Sequence, residues 1–196
     1  MHTIPSAPER SKRRRLAPEV RRAEVLDVAA RLLSERGYWA VSVQDVAQAA
    51  GMTKTGLLHH FPTKESLLVA LLEERDRSQI DEAEAHIAEL DKEGGRAFLD
   101  AVVESNWAHR ELIRLYAVLN VEALDPRHPA HDYFRRRFER ARDVIRRAAA
   151  SWHPNPDSFA LEVHVFLDGL QIAWLRDESL PVRELWHDFA ARACDV

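Results

Sequence analysis

Apolar residues recur three and four positions apart through most of this chain, the period of helices that turn one face inward. Val25, Leu26, Ala29, Leu32 and Leu33 stripe a first helix over 18–36, which Gly37 ends. Val43, Val46, Ala47 and Ala50 mark a short second helix with Gln44 and Gln48 on its outer side. Leu57 and Phe61, four apart, mark a third that begins after Gly51 and stops at Pro62, whose ring cannot continue a helix. From Thr63 the pattern continues through Leu67, Leu68, Leu71, Leu72 and Ile80 to about residue 90, before Gly94-Gly95 breaks it. Later periodic stretches fall at 95–107, 108–123, 129–151, 157–177 and 181–193. Asp125-Pro126, His153-Pro154-Asn155-Pro156 and Ser179-Leu180-Pro181 separate the last of these. No strand-like alternation survives and no internal repeat emerges, so the predicted fold is all-α, with about nine helices.

The chemistry concentrates between residues 42 and 65. Ser42 with Asp45 three residues on approximates a capping box, the hydroxyl accepting from an orphan amide and the carboxylate sitting at the positive helix end. Gly51 stands where a left-handed residue ends the second helix, and Thr53 supplies a new N-cap two residues later, so the next helix leaves at a steep angle. Docking Leu57 and Phe61 inward leaves Lys54, Thr55, Gly56, Leu58 and His59 on exposed or partly exposed faces. Two short helices around a tight glycine turn are the pattern of a helix-turn-helix, which points to duplex DNA. Many such helix pairs bind nothing, so the spacing by itself discriminates only moderately. Thr63, Lys64 and Glu65 open the following helix and place a lysine beside amides that suit a phosphate.

Residues 21–68 resemble the N-terminal domain of the TetR family of transcriptional regulators. The resemblance rests on Val25, Leu26, Ala29, Ala30, Leu32, Leu33, Gly37, Tyr38, Ser42, Val46, Ala47 and Ala50-Gly51. It continues through Lys54, Leu57, His59, His60, Phe61, Pro62, Lys64, Glu65 and Leu67-Leu68. It implies an N-terminal three-helix DNA-binding domain followed by a C-terminal helical bundle for ligand binding and dimerisation. The implied division is a basic arm over 1–17, a helix-turn-helix domain over 18–65 and a ligand-binding and dimerisation domain over 66–196. Lys54 and Lys64 are then expected to anchor phosphates. Ser42, Gln44, Thr53, Thr55, Gly56, Leu58 and His59 are expected to approach bases or backbone. Many family members carry a tyrosine at the position of Leu58, and a leucine cannot donate the backbone hydrogen bond that tyrosine makes.

Charge supports this division. The chain carries a formal −4. Residues 1–65 hold eleven Lys/Arg against seven Asp/Glu, a net of +4, whereas residues 66–196 hold seventeen against twenty-five, a net of −8. The basic half is the half with the helix-turn-helix. Arg10, Lys12, Arg13, Arg14 and Arg15 supply much of the excess. Such a run is a solvated tail in the plain reading, and an arm that reaches phosphates or the minor groove in the functional one, with Arg13, Arg14 and Arg15 as contacts.

With 196 residues, 46% hydrophobic and 31% charged, the chain is long enough to bury one full core or two modest ones. No apolar run approaches the roughly 18 residues that cross a bilayer, and no apolar segment follows the charged N-terminus. The single cysteine, Cys194, excludes an intrachain disulfide framework. These features lead to the expectation of a cytoplasmic protein without membrane partners.

Helix 157–177 carries Phe159, Val163, Phe166, Leu167, Leu170, Ile172, Ala173 and Trp174 on more than one face, with Gly169 in its middle. Leu185, Trp186, Phe189 and Ala190 add a stripe on the last helix. An intrachain core uses some of these. In TetR-like proteins the last two helices pair with their symmetry mates, so the resemblance implies a homodimer. Phe166, Gly169, Leu170, Trp174, Leu185, Trp186 and Phe189 are the expected interface. A two-fold dimer sets its recognition helices roughly 34 to 36 Å apart, which calls for a near-palindromic operator. The resemblance also implies a small-molecule effector in the middle bundle. Trp107, Tyr116, Asn120, Phe134, Phe138 and His164, with Glu122, mix aromatic surface and isolated polar groups as cavity walls do.

No Gly-rich phosphate loop, G-x-S-x-G, H-E-x-x-H or C-x-x-C is present, so no enzyme and no cofactor is expected. Two other readings stay open. His128 and His131, beside Asp125 and Asp132, suggest a metal-responsive regulator built on segment 125–132, although Pro126 and Pro129 favour solvated loop histidines. A helical protein-interaction module without DNA readout is the other. The main expectation is a DNA-binding repressor released by a ligand.

Overall fold

The computed structural model describes residues 18–84, 87 and 90–194, the side chains of 18 and 77–84 excepted. Among the described residues the chain forms nine helices and no strand. They are α1 (Pro18–Ala40), α2 (Val43–Ala49), α3 (Lys54–His60), α4 (Lys64–Glu84), α5 (Lys92–Trp107), α6 (Arg110–Glu122), α7 (His131–Ala149), α8 (Pro156–Arg176) and α9 (Val182–Cys194). None of them is long and apolar enough to cross a membrane. The basic residues 10–15 lie outside the described residues.

The first stripe is buried throughout, from Val25 to Leu33, and the regular helical path of α1 breaks at Gly37, as its glycine suggests. Gly37 has φ 77° and ψ 170°, a conformation essentially restricted to glycine, and one more turn follows to Ala40. Gly94-Gly95 does not act as the break its composition suggests. Asp91 caps α5, its carboxylate accepting from Gly94 N at 2.8 Å, so both glycines fall inside the first turns. The physical reason is close packing. A Cβ on Gly95 would lie 2.5 Å from the Ala148 carbonyl oxygen and 2.5 Å from Trp152 Nε1, so only glycine lets α5 lie this close to α7.

Two buried clusters organise the chain. The first joins α1 through α4 with Leu115, Tyr116 and Leu119 of α6, Ala123 and Ala130 of the following loop and Phe134 of α7. It therefore runs across residue 65, with α1 lying along α6 and α4 reaching from one side to the other. The second gathers Leu99, Val103 and Trp107 of α5 with Ile113, Ile145, Phe159, Val163, Val182 and Trp186 from the later helices. Each fully buried side chain of this size contributes roughly 1.5 to 3 kcal/mol. Between the clusters, α5 to α8 leave space unfilled.

Candidate nucleic-acid interface and internal cavity

Helices α2 and α3 form because their caps are local. Ser42 Oγ accepts from Asp45 N at 3.1 Å, and Asp45 Oδ2 accepts from Ser42 N at 2.7 Å, which completes the capping box. The Ser42 hydroxyl, which also donates to Asp45 Oδ2 at 2.5 Å, and then the Ser42 amide hold the Asp45 carboxyl below its ordinary range. Gly51 takes φ 63°, Met52 N reaches back to Ala47 O at 2.9 Å, and Thr53 Oγ1 accepts from Gly56 N at 3.1 Å to start α3. Arg21 of α1 donates to Ala50 O at 3.0 Å and so ties the turn to the scaffold. Leu57 is fully buried and Phe61 nearly so, while Gln44, Thr53, Lys54, Thr55 and His59 are exposed, with Gly56 and Leu58 half-buried. Thr55, Leu58 and His59 are three and four apart, so they share a face of α3. The structure thus leaves these predicted residues exposed or half-buried, with Thr55, Leu58 and His59 together on the outer face of α3.

Two predicted residues have other engagements. Ser42 is exposed but spends its hydroxyl on the cap. Lys64 is half-buried. Its ammonium donates to Tyr38 O at 2.6 Å and lies 3.9 Å from the centre of the Tyr38 ring, and burial lowers its pKa. The expectation that Lys64 reaches outward to a phosphate overlooked the end of α1, 26 residues earlier, which takes the ammonium.

That contact belongs to a knot the sequence reading missed. Glu122, the last residue of α6, accepts from Tyr38 N at 2.6 Å, and its carboxylate packs against the bare Cα of Gly37. Tyr38 OH donates to Glu65 at 3.2 Å. The buried His128 ring stands edge-on to Tyr38 at 4.8 Å, its Nδ1 accepts from Ala130 N, and its Nε2 lies 3.9 Å from Glu122 with no hydrogen-bond partner among the described residues. His131 Nδ1 lies 2.8 Å from Ala123 O. Both histidines are thus engaged in shaping the loop after α6. Among the described residues no three His, Cys, Asp or Glu side chains gather as a metal site.

Burial lowers the pKa of His128 below its ordinary 6.5, outweighing the nearby Glu122 and Asp125 carboxylates. His164 is lowered in the same way, by burial first, against the pull of Asp168. Both rings are then neutral in the folded chain where the unfolded chain would bind protons. Stability from these sites is fully present above about pH 6.5 and is lost as pH falls from there through their lowered folded values. A plot of melting temperature against pH should fall on the acid side of neutrality. His128→Gln should make that fall shallower, and an unchanged slope would show that His128 does not carry it.

The unfilled space among α5 to α8 is a cavity of about 290 Å³. Of the predicted pocket residues, Tyr116, Asn120, Phe134 and His164 line it. Trp107 instead stands edge-on to Trp174 at 5.3 Å, and Phe138 backs His164 at 4.6 Å, one layer behind the wall. Glu122 belongs to the knot. Arg137 and Asp168 are wall residues that the sequence reading missed. The available signal was a charge at helical spacing between Phe134 and Ala141, inside an apolar stripe.

On the expected dimer face, Phe166 stacks on Phe189 at 4.0 Å and both are half-buried, as is Trp174. Gly169 is exposed with open space where a Cβ would stand, and Leu185 is exposed. Leu170 and Trp186 are buried in their own chain, and Trp186 Nε1 donates to Asp100 on α5 at 2.6 Å. Leu161 and Val165, exposed on the same helix as Gly169, were not anticipated.

The profile of the bacterial regulatory proteins of the tetR family matches residues 25–71, the segment that builds α1 through the start of α4. Residues 25–71 thus carry the DNA-binding segment of the TetR family. The HTH-type transcriptional repressor KstR2 of Rhodococcus jostii is 39% identical over 89 residues, 44% of this chain and 42% of that repressor. The regulator RutR of Escherichia coli is 33% identical over 60 residues, 31% of this chain and 28% of its own. The matches thus span less than half the length of these TetR-family relatives. Among solved structures, NalD of Pseudomonas aeruginosa, a secondary repressor of a multidrug efflux pump, superposes with a TM-score of 0.70 at 20% identity, over 89% of this chain and 95% of its own. A transcriptional regulator of Saccharomonospora viridis in complex with choline gives 0.67 at 24% identity, over 87% and 95%. At these identities the likeness carries the fold alone, over 87–89% of this chain.

Proposed function

We propose that the chain is a non-enzymatic, cytoplasmic transcriptional repressor, a homodimer that binds a near-palindromic operator through α2 and α3 and leaves it when a small molecule occupies the cavity. The observation that carries the reading is the exposed polar face of α3, from Lys54 to His59, set on a fully buried Leu57. A polar recognition face on a rigid anchor is what base readout requires. Release needs a ligand whose affinity differs between two arrangements of the heads. Helix α6 offers a route, because Leu112, Tyr116, Asn120 and Val121 line the cavity and the next residue, Glu122, holds Tyr38 N at the end of α1. The dimer face is drawn around Gly169 with Leu161, Val165, Phe166, Trp174, Leu185 and Phe189. A mid-helix glycine costs about 1 kcal/mol relative to alanine, and close approach of a partner helix gives it a use.

Selection of bound duplexes from a random pool by the full chain tests the proposal. The expected product is a palindrome bound by dimers, whereas weak binding that disappears with salt and enriches nothing would favour the protein-interaction reading. On the selected operator, Lys54→Ala should weaken specific and random DNA alike and lower the salt slope by about 1. Thr55→Ala should cost about 1 to 3 kcal/mol on the operator and little on random DNA. Equal losses on both DNAs for both variants would overturn that division of labour.

A further inference from the structure

Building on the reading of the cavity as the effector site, we infer that its ligand is a largely apolar molecule ending in a carboxylate, held by the two terminal nitrogens of Arg137. Arg137 lies on α7 and forms part of the cavity wall, with 28% of its side chain accessible. Its Nε is committed, donating to Asp76 Oδ1 at 3.2 Å. Asp76 also accepts from Tyr116 OH at 2.9 Å and from Tyr133 OH, so three donors hold this carboxylate in place. The guanidinium carbon sits 4.5 Å from the centre of the Tyr116 ring, which fixes the plane of the group from below. Among the described residues the two Nη groups make no hydrogen bond. A guanidinium fixed through Nε, with its terminal nitrogens open to an apolar space, presents the fork that a carboxylate accepts in bidentate fashion.

The wall beyond Arg137 sets the rest of the ligand. Along α7 the next wall positions are Ala141, Val144 and Ile145, and Phe98 of α5, which packs on the cluster of Val144 and Ala148, is a further wall residue. From Arg137 to Ile145 the helix rises about 12 Å, room for an extended chain rather than a compact polar solute. Asp168 opposes an anion from across the cavity, but it is half exposed and lies 3.5 Å from His164 Nε2, which can donate to it. A cationic ligand fits less well, because Arg137 already covers the Tyr116 face that would have received it.

The test compares three probes of one chain length on the purified full-length protein by titration calorimetry: decanoate, decanol and decyltrimethylammonium. Decanoate should bind roughly tenfold or more tighter than decanol, and the ammonium compound should show no binding, in line with the strength of charge-assisted hydrogen bonds. Arg137→Gln should bring decanoate to the level of decanol and leave decanol unchanged. Because that variant strands Asp76, the double variant Arg137→Gln with Asp76→Asn removes both charges and should give the same result in a chain without the stranded carboxylate. Decanoate binding as tightly to the double variant as to the parent, or no preference over decanol in the parent, overturns the inference. Displacement from operator DNA is read separately. Arg137-dependent decanoate binding without displacement would keep the ligand class and sink the effector reading, whereas displacement by other compounds with no decanoate binding would do the reverse.

Discussion

Gly37→Ala is expected to lower the melting temperature by about 6 to 12 °C, the shift that a loss of about 3 kcal/mol produces in a domain of this size. Two penalties combine at this residue. With φ 77° and ψ 170° the backbone lies in a region that an alanine enters only at a cost of about 1 to 3 kcal/mol. The added Cβ would also stand 2.3 Å from Glu122 Oε1, so the carboxylate has to leave. Its departure removes the acceptor 2.6 Å from Tyr38 N, and an unpaired amide at a part-buried position costs about 1 to 3 kcal/mol more. Placing Gly37→Ala in a Glu122→Ala background separates the two terms. The clash is absent there, so the added loss from Gly37→Ala should shrink to the backbone term alone. A parent-like melting curve for the single variant would mean that the turn at Gly37 does not hold the conformation described. Glu122→Ala by itself should leave α2 and α3 folded, since their caps lie within 42–56, and should loosen the link between the cavity wall and α1.

What could be read from the sequence was what its neighbours decide. The capping box of Ser42 and Asp45, the left-handed Gly51 and the Thr53 cap each close over three or four residues. The periodicity of Leu57 and Phe61 likewise says which side faces in. Pairings across distant helices were not legible. Lys64 next to a helix start looks like a phosphate anchor until Tyr38 O accepts a hydrogen bond from its ammonium, and Trp186 looks like a partner-facing residue until Asp100 accepts its N–H. Trp107 and Phe138 have the character of cavity lining but stand one layer back, because which side of an aromatic meets empty space depends on the helix packed opposite. Arg137 was passed over for a related reason. Its meaning comes from Asp76, 61 residues away, which no spacing along one helix reveals. Gly94-Gly95 misled in the other direction. Composition reads a glycine pair as a break, while Asp91 caps through it and the packing of α5 on Ala148 requires it.

Leu57→Ala should abolish operator selection while leaving the bundle from α5 to α9 intact. Helix α3 has seven residues, about two turns, which is too short to persist by its own hydrogen bonds. Its inner face carries a single fully buried side chain, Leu57, with Phe61 buried directly after the helix ends. Cutting Leu57 back to alanine costs about 2 to 5 kcal/mol in transfer and cavity terms, and that cost falls on the cluster shared with α1, α2 and α4. Amide exchange across 54–61 should rise well before exchange in α8. Binding to the operator should fall towards the level of random DNA, because Thr55, Leu58 and His59 no longer share one fixed surface. Random DNA itself should be held nearly as before, since attraction to phosphates needs charge near the duplex more than it needs a rigid helix. Leu58→Ala is the control. That residue is half-buried on the outward side, so its loss should leave stability nearly unchanged and alter operator affinity only through the contact it makes. A Leu57→Ala protein that still selects the operator would show that α3 is ordered by the DNA rather than by its anchor, and base readout would then rest on coupled folding instead of a preformed surface.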